Sequence, residues 1–215
     1  MSFFITFEGI EGSGKTTQLR RLDKHFQALG YQTFVTREPG GCSISDIIRA
    51  LLLDPESSNM ASRTELLLYS AARAQHVVEC IEPALKAGKV VLCDRFSDAT
   101  TVYQGSGRGI DMKQLEAINT FATRGLIPDL TLLLDYPVEE GLQRARSRNN
   151  SESMEAEGRF ELEAITFHQR IREGYLELAN KEERFQVIDA LDDMVSVARR
   201  ITAAVDRFLA IRSSA

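Results

Sequence analysis

Gly9, Gly14, Lys15 and Thr16 stand at the fixed places of the pattern G-x-x-x-x-G-K-[ST] within "GIEGSGKTT". Glycine removes the side chains that would obstruct a tight turn, so consecutive N–H groups can converge on phosphate oxygens. Lys15 adds a point charge for β- and γ-phosphates, and the Thr16 hydroxyl suits a Mg²⁺ ion. The run Gly9, Ile10, Glu11, Gly12, Ser13, Gly14, Lys15, Thr16 and Thr17 is therefore expected to cradle a nucleoside triphosphate.

A second set of residues could handle another phosphate. Arg95 follows Asp94 in "CDRFSD", and Arg37 opens "REPGG". A guanidinium can fork onto two phosphate oxygens, which an ammonium cannot. Asp94 is placed to support the Mg²⁺ beside Thr16; the plainer alternative is that Asp94 and Arg95 cap a helix. Pro39 forces Glu38 out of the helical region, Gly40 and Gly41 permit a sharp turn, and the bond before Pro39 admits a cis form. Such a turn either fixes Arg37 towards a phosphate or leaves it solvated.

Tyr69 and Arg73 lie four apart in "ELLLYSAARAQH" and share a helical face. Together they could stack a base and bond its edge. On spacing alone Tyr69 could equally sit in the core, with Arg73 paired to Glu65 or Glu79. His76 reads as structural. Thr100, Tyr103 and Gln104 fall on one helical turn and offer hydrogen bonds to a polar ring or sugar, or merely end a helix. Arg146, Arg148 and Arg159 bracket the polar stretch from 147 to 159, read as a mobile loop or lid-like insertion. A mobile arginine there could stabilise charge on a phosphoryl group in flight, or be solvated surface.

The elements that must position these groups are strands and helices in alternation. Apolar runs at Phe3–Phe7, Thr33–Thr36, Val90–Cys93, Leu130–Leu134 and Phe185–Ile188 read as buried strands. Between them lie helical patterns, the first with Leu19, Leu22, Phe26 and Leu29 on one side. The alternation predicts an α/β fold, a five-stranded parallel sheet covered by helices on both faces. In such sheets ligands gather beyond the carboxyl ends of the strands. Three of the five strand ends carry phosphate or metal chemistry; Asp135 and Asp189, at the other two, are expected to cap helices.

The bulk properties narrow the class. With 215 residues, 43% of them apolar, the chain suffices for one domain, expected to span 1–215. A net charge of −5 argues against a general nucleic-acid binder. No stretch approaches the length of a membrane span, the start lacks a signal-peptide pattern, and the three cysteines show no C-x-x-C spacing. A cytoplasmic protein is expected. Surplus apolar residues on the helix carrying Tyr69 suggest a homodimer.

Two phosphate-handling sets flanking one cleft suggest a kinase whose acceptor is itself a phosphate. "FEGIEGSGKTT", "TREPGG", "LYSAARAQ", "CDRFSDATTVYQGSGRG", "PDLTLLLD" and "RIREGYLELA" resemble the thymidylate kinases of the bacterial type, in the family's order and over nearly the whole chain. The resemblance implies the three-layer P-loop nucleoside monophosphate kinase fold, with ATP and Mg²⁺ phosphorylating thymidine monophosphate. It implies that Lys15 holds phosphates, that Thr16 and Asp94 serve the metal, and that Arg37 and Arg95 grip the acceptor phosphate. It further implies Tyr69 stacked on the base where the family commonly has Phe, Arg73 and Arg49 at the base, Thr100 and Gln104 around the ring, Glu11 at the 3′-hydroxyl, and Tyr103 excluding a ribose. Because the phosphate loop carries no arginine, the resemblance implies a catalytic lid arginine, Arg159 first and Arg148 second. Alternatives are another nucleoside or nucleotide kinase, or a nucleotide-switch binding module.

Overall fold

The computed structural model describes residues 2–151, 160 and 163–213, with no side-chain detail for 148–151 and 213. Five strands, β1 (Phe3–Glu8), β2 (Thr33–Arg37), β3 (Val90–Asp94), β4 (Leu130–Asp135) and β5 (Phe185–Asp189), form one parallel sheet in the order β2-β3-β1-β4-β5. Each strand runs one residue beyond the apolar stretch that marks it. Glu8, Arg37, Asp94, Asp135 and Asp189 are thus the last residues of their strands, all at the same edge of the sheet.

All six residues of the central β1 are buried. Successive side chains alternate between faces, and the core divides accordingly. Phe3, Ile5 and Phe7 join Leu19, Leu22 and Phe26 of α1 (Lys15–Ala28) and Val197, Ile201 and Val205 of the last helix. Phe4 joins Val77, Ile81, Val91 and Phe96 on the other face. Burying each such aromatic contributes about 1.5–3 kcal/mol. Leu29 departs from the expected stripe: α1 ends at Ala28, and Leu29, at the helix cap, is exposed.

The remaining helices are α2 (Ser43–Leu53), α3 (Ser62–His76), α4 (Glu82–Lys86), α5 (Ser97–Thr100), α6 (Met112–Thr123), α7 (Val138–Ser151), α8 (Ile165–Lys181) and α9 (Met194–Ser213). A π-turn over Val77–Ile81 links α3 to α4, so the long apolar helix is continuous but locally widened. Pro83 lies just beyond; it has no N–H to return to the preceding turn. A second π-turn, Thr101–Gly107, follows α5 and carries Tyr103 and Gln104. Such turns recur at functional sites. α7 continues to Ser151, so the stretch read as a loop from 147 begins as helix, and 152–159 lie outside the described residues.

Asp135 does not cap a helix. Its carboxylate takes two hydrogen bonds from Arg172 of α8, at 2.6 and 2.9 Å. Nor does Asp189 cap α9: it accepts from the Leu191 N–H, while Asp193 accepts from the N–H groups of Val195 and Ser196. Among the described residues, no helix is long and apolar enough to cross a membrane.

Candidate active site

The phosphate loop joins β1 to α1. Gly9, Gly12 and Gly14 adopt positive φ of 136°, 71° and 90°. Gly12 is also sterically required: a Cβ there would lie 2.0 Å from the carbonyl oxygen of Gly141 on α7. Gly14 caps α1 without a side-chain hydrogen bond, which leaves the first turn's N–H groups facing the loop, where an anion would sit. Lys15 curls back so that Nζ donates to the Gly9 and Ile10 carbonyls at 3.0 and 2.7 Å. Thr16 Oγ1 donates to Asp94 Oδ2 at 2.6 Å, bringing two hard oxygen groups together at the mouth of the loop.

Arg95 lies beneath this loop. It has φ 69°, unusual for a residue with a side chain, and such strain persists only where surrounding contacts fix it. Its guanidinium donates to Gly9 O at 2.9 Å, Glu11 Oε1 at 3.0 Å and the Tyr175 hydroxyl at 3.1 Å, and lies 4.9 Å from the centre of the Tyr103 ring. Glu11 Oε1 also accepts from the Tyr103 hydroxyl. Burial raises the pKa of Glu11, but His168, Arg95, Lys15 and Tyr103 together outweigh it and hold the carboxyl well below the usual range.

Behind Arg95 is a carboxyl that sequence reading passed over. Glu8, fully buried, accepts from the Phe96 N–H at 2.8 Å and the Tyr175 hydroxyl at 2.6 Å. Burial, then the charge of Asp98, push its pKa up to about 7 against the opposing pull of Arg95 and its two hydrogen bonds. The only sequence signal was an acid ending an otherwise apolar strand.

Beside the loop opens a cleft whose free space, counting the solvent at its mouth, is about 520 Å³. It is lined by Glu11, Arg49, Tyr69, Arg73, Arg95, Thr100, Tyr103 and Gln104, expected there from sequence, joined by Glu38 and Pro39, read only as turn residues, and by Phe96 and Phe160. Arg37 does not line it; that side chain is exposed, with its guanidinium 3.5 Å from Asp46. Arg73 is 2% exposed. It pairs neither with Glu65 nor with Glu79 but with Glu38 at 2.7 Å, and bonds Asn119 Oδ1, the Phe96 carbonyl and Thr100 Oγ1 at 3.0–3.1 Å. His76, read as structural, completes this buried chain between Glu38 (2.9 Å) and Thr36 (2.7 Å). The Glu38–Pro39 bond is cis, and the Pro39 carbonyl accepts from Arg49 at 2.8 Å.

Glu65 instead receives Gln104 at 2.8 Å and Arg108, and Arg108 reaches on to Glu163 at 2.6 Å. Tyr69 is half-buried and packs against the core, its ring 6.3 Å from that of Phe160. Arg146 is exposed on α7. Arg159 and the side chain of Arg148 lie outside the described residues.

A glycine loop between a central strand and a helix, next to an arginine-lined cavity at the carboxyl ends of a five-stranded parallel sheet, defines the P-loop nucleoside monophosphate kinase fold. The Thymidylate kinase family model matches residues 7–201. The thymidylate kinase of Pelobacter propionicus is 55% identical over 206 residues, covering 95% of this chain and 94% of that protein. That of Geobacter sulfurreducens is 55% identical over 210 residues, 97% of each. The crystal structure of thymidylate kinase from Ehrlichia chaffeensis superposes with a TM-score of 0.74 at 32% identity, covering 95% of this chain and 98% of that one. The chain belongs to the thymidylate kinase family.

Proposed function

We propose that this chain transfers the γ-phosphoryl group of ATP to thymidine monophosphate, giving thymidine diphosphate and ADP. The observation that carries the reading is Arg95, which bonds the phosphate loop at Gly9 and Glu11 and also lines the adjoining cavity. One guanidinium thus stands where two phosphates would meet.

In this reading residues 9–17 hold the triphosphate, and Lys15 exchanges loop carbonyls for phosphate oxygens. Arg95 grips the acceptor phosphate, with Arg37 joining it by leaving Asp46. Tyr69 stacks on the base, Arg73 and Arg49 face its edge, and Thr100 and Gln104 line the ring. Glu11 accepts the 3′-hydroxyl, and Tyr103, held by Glu11, fills the space a ribose would need. Arg159, or failing that Arg148, supplies the charge for the group in flight.

Thr16 and Asp94 offer the hard oxygen donors that Mg²⁺ prefers, and they would hold it. Bound there, the ion would supply positive charge to the phosphate oxygens. The three cysteines are free thiols, which suits the reducing cytoplasm. A homodimer is supported by Ile47 and Leu51 of α2 and Leu67 of α3, all about half or more exposed on adjacent helices.

The test is ADP release measured across thymidine, adenosine, guanosine and cytidine monophosphates. Thymidine monophosphate is expected to give the highest kcat/KM. Preference for any other would overturn the assignment.

A further inference from the structure

Resting on the substrate reading above, we infer that His168 is a positioning residue, holding Glu11 in register for the 3′-hydroxyl of the monophosphate's deoxyribose. His168 lies on α8, fully buried, with Nε2 3.0 Å from the Phe160 carbonyl oxygen and Nδ1 3.3 Å from Glu11 Oε2. Neither Nδ1 nor Oε2 has a hydrogen-bonding partner among the described residues, so the two face one another at ion-pair distance.

The proton inventory follows from the partners. A carbonyl oxygen only accepts, so Nε2 carries a proton and donates it. Nδ1 faces a carboxylate oxygen, and two lone pairs at that distance repel unless a second proton lies between them. The positioning role therefore needs an N–H on Nδ1 as well. The position of Glu11 below the ordinary carboxylate range, with His168 first among the groups that overcome its burial, agrees with this arrangement.

The division of labour within Glu11 makes the histidine consequential. Oε1 is already taken by Arg95 and Tyr103. Oε2 is buried against His168, so the two oxygens are held from different sides and Glu11 meets the cavity in one orientation. Packing alone does not call for histidine: its ring meets Phe167 edge-on at 5.5 Å, a contact phenylalanine could make as well. What phenylalanine lacks is the N–H that fixes Oε2 from behind. His168 also ties Glu11 to the backbone of Phe160, another residue of the cavity wall.

The experiment compares His168→Phe, His168→Asn and His168→Gln with wild type, using thymidine monophosphate and 3′-deoxythymidine monophosphate as acceptors. Asparagine places an amide N–H near the Nδ1 position, whereas glutamine places one near Nε2. For thymidine monophosphate, His168→Phe and His168→Gln should raise KM by about 10- to 100-fold, the range for a hydrogen bond to a charged group, with kcat nearly unchanged. His168→Asn should recover most of that loss. With the 3′-deoxy acceptor all four proteins should agree within about threefold, because the hydroxyl that Glu11 serves is gone. Equal loss with both acceptors, failure of asparagine to outperform glutamine, or a fall confined to kcat overturns the role of His168. Absence of wild-type turnover of thymidine monophosphate overturns the underlying substrate reading, and is seen without any variant.

Discussion

Arg73 Nε lies 2.7 Å from Glu38 Oε2, an ion pair with both side chains at most 3% exposed on the wall of the cavity beside the phosphate loop. Such a pair is costly to break singly, because the surviving charge stays buried. Glu38→Ala should therefore lower unfolding free energy by about 3–5 kcal/mol, measured by urea denaturation. A loss under about 1 kcal/mol, the value of an exposed pair, would mean that water reaches the site freely.

Glu8 gives stability a pH dependence whose sign is fixed. Its carboxyl titrates at about 7 in the folded chain against an ordinary 4.5. Between those values the folded state binds more protons than the unfolded one, so stability is highest below the window. It falls as pH rises to 7 and is level above that. The full change is on the order of 3 kcal/mol. Unfolding curves at pH 5 and pH 8 should show this drop in wild type and a smaller one in Glu8→Gln. Identical slopes in the two proteins would assign the titration elsewhere.

The charge on the group in flight should come from beyond α7. Arg159→Ala is expected to reduce kcat by about 10³ with little change in either KM, and Arg148→Ala by much less. If the Arg159 variant stays within about threefold of wild type, a scale far below that of an arginine finger, the role moves to Arg148.

Dimerisation can be tested at Ile47, 72% exposed on α2. Ile47→Asp places a charge on the apolar face shared with Leu51 and Leu67, and should shift the sedimenting species from dimer to monomer. A monomeric wild type would remove the proposal.

What the sequence made legible was local. Each strand could be read from a short apolar run, and the phosphate loop from four residues at fixed spacing. The strand order could not be read, because it depends on which connections cross the sheet. Partners distant in sequence were equally hidden. Arg73 pairs across 35 positions with Glu38, although Glu65 and Glu79 stand nearer along the same helical run, and Asp135 serves Arg172 from 37 positions away. Helical spacing identifies candidates on one surface; it carries no information about the element packed against that surface. His168 and Glu8 escaped notice for the same reason, since a lone buried titratable residue has meaning only through what surrounds it.

The close approach of Gly12 to Gly141 bears on how the active site could be re-engineered. Position 12 admits no side chain while α7 stays where it is, so an arginine cannot be placed at that point of the loop by one substitution. Relocating that cation would require α7 to withdraw first, and that is the helix leading towards the lid. Any lineage or laboratory placing a charge at position 12 must alter the loop and α7 together.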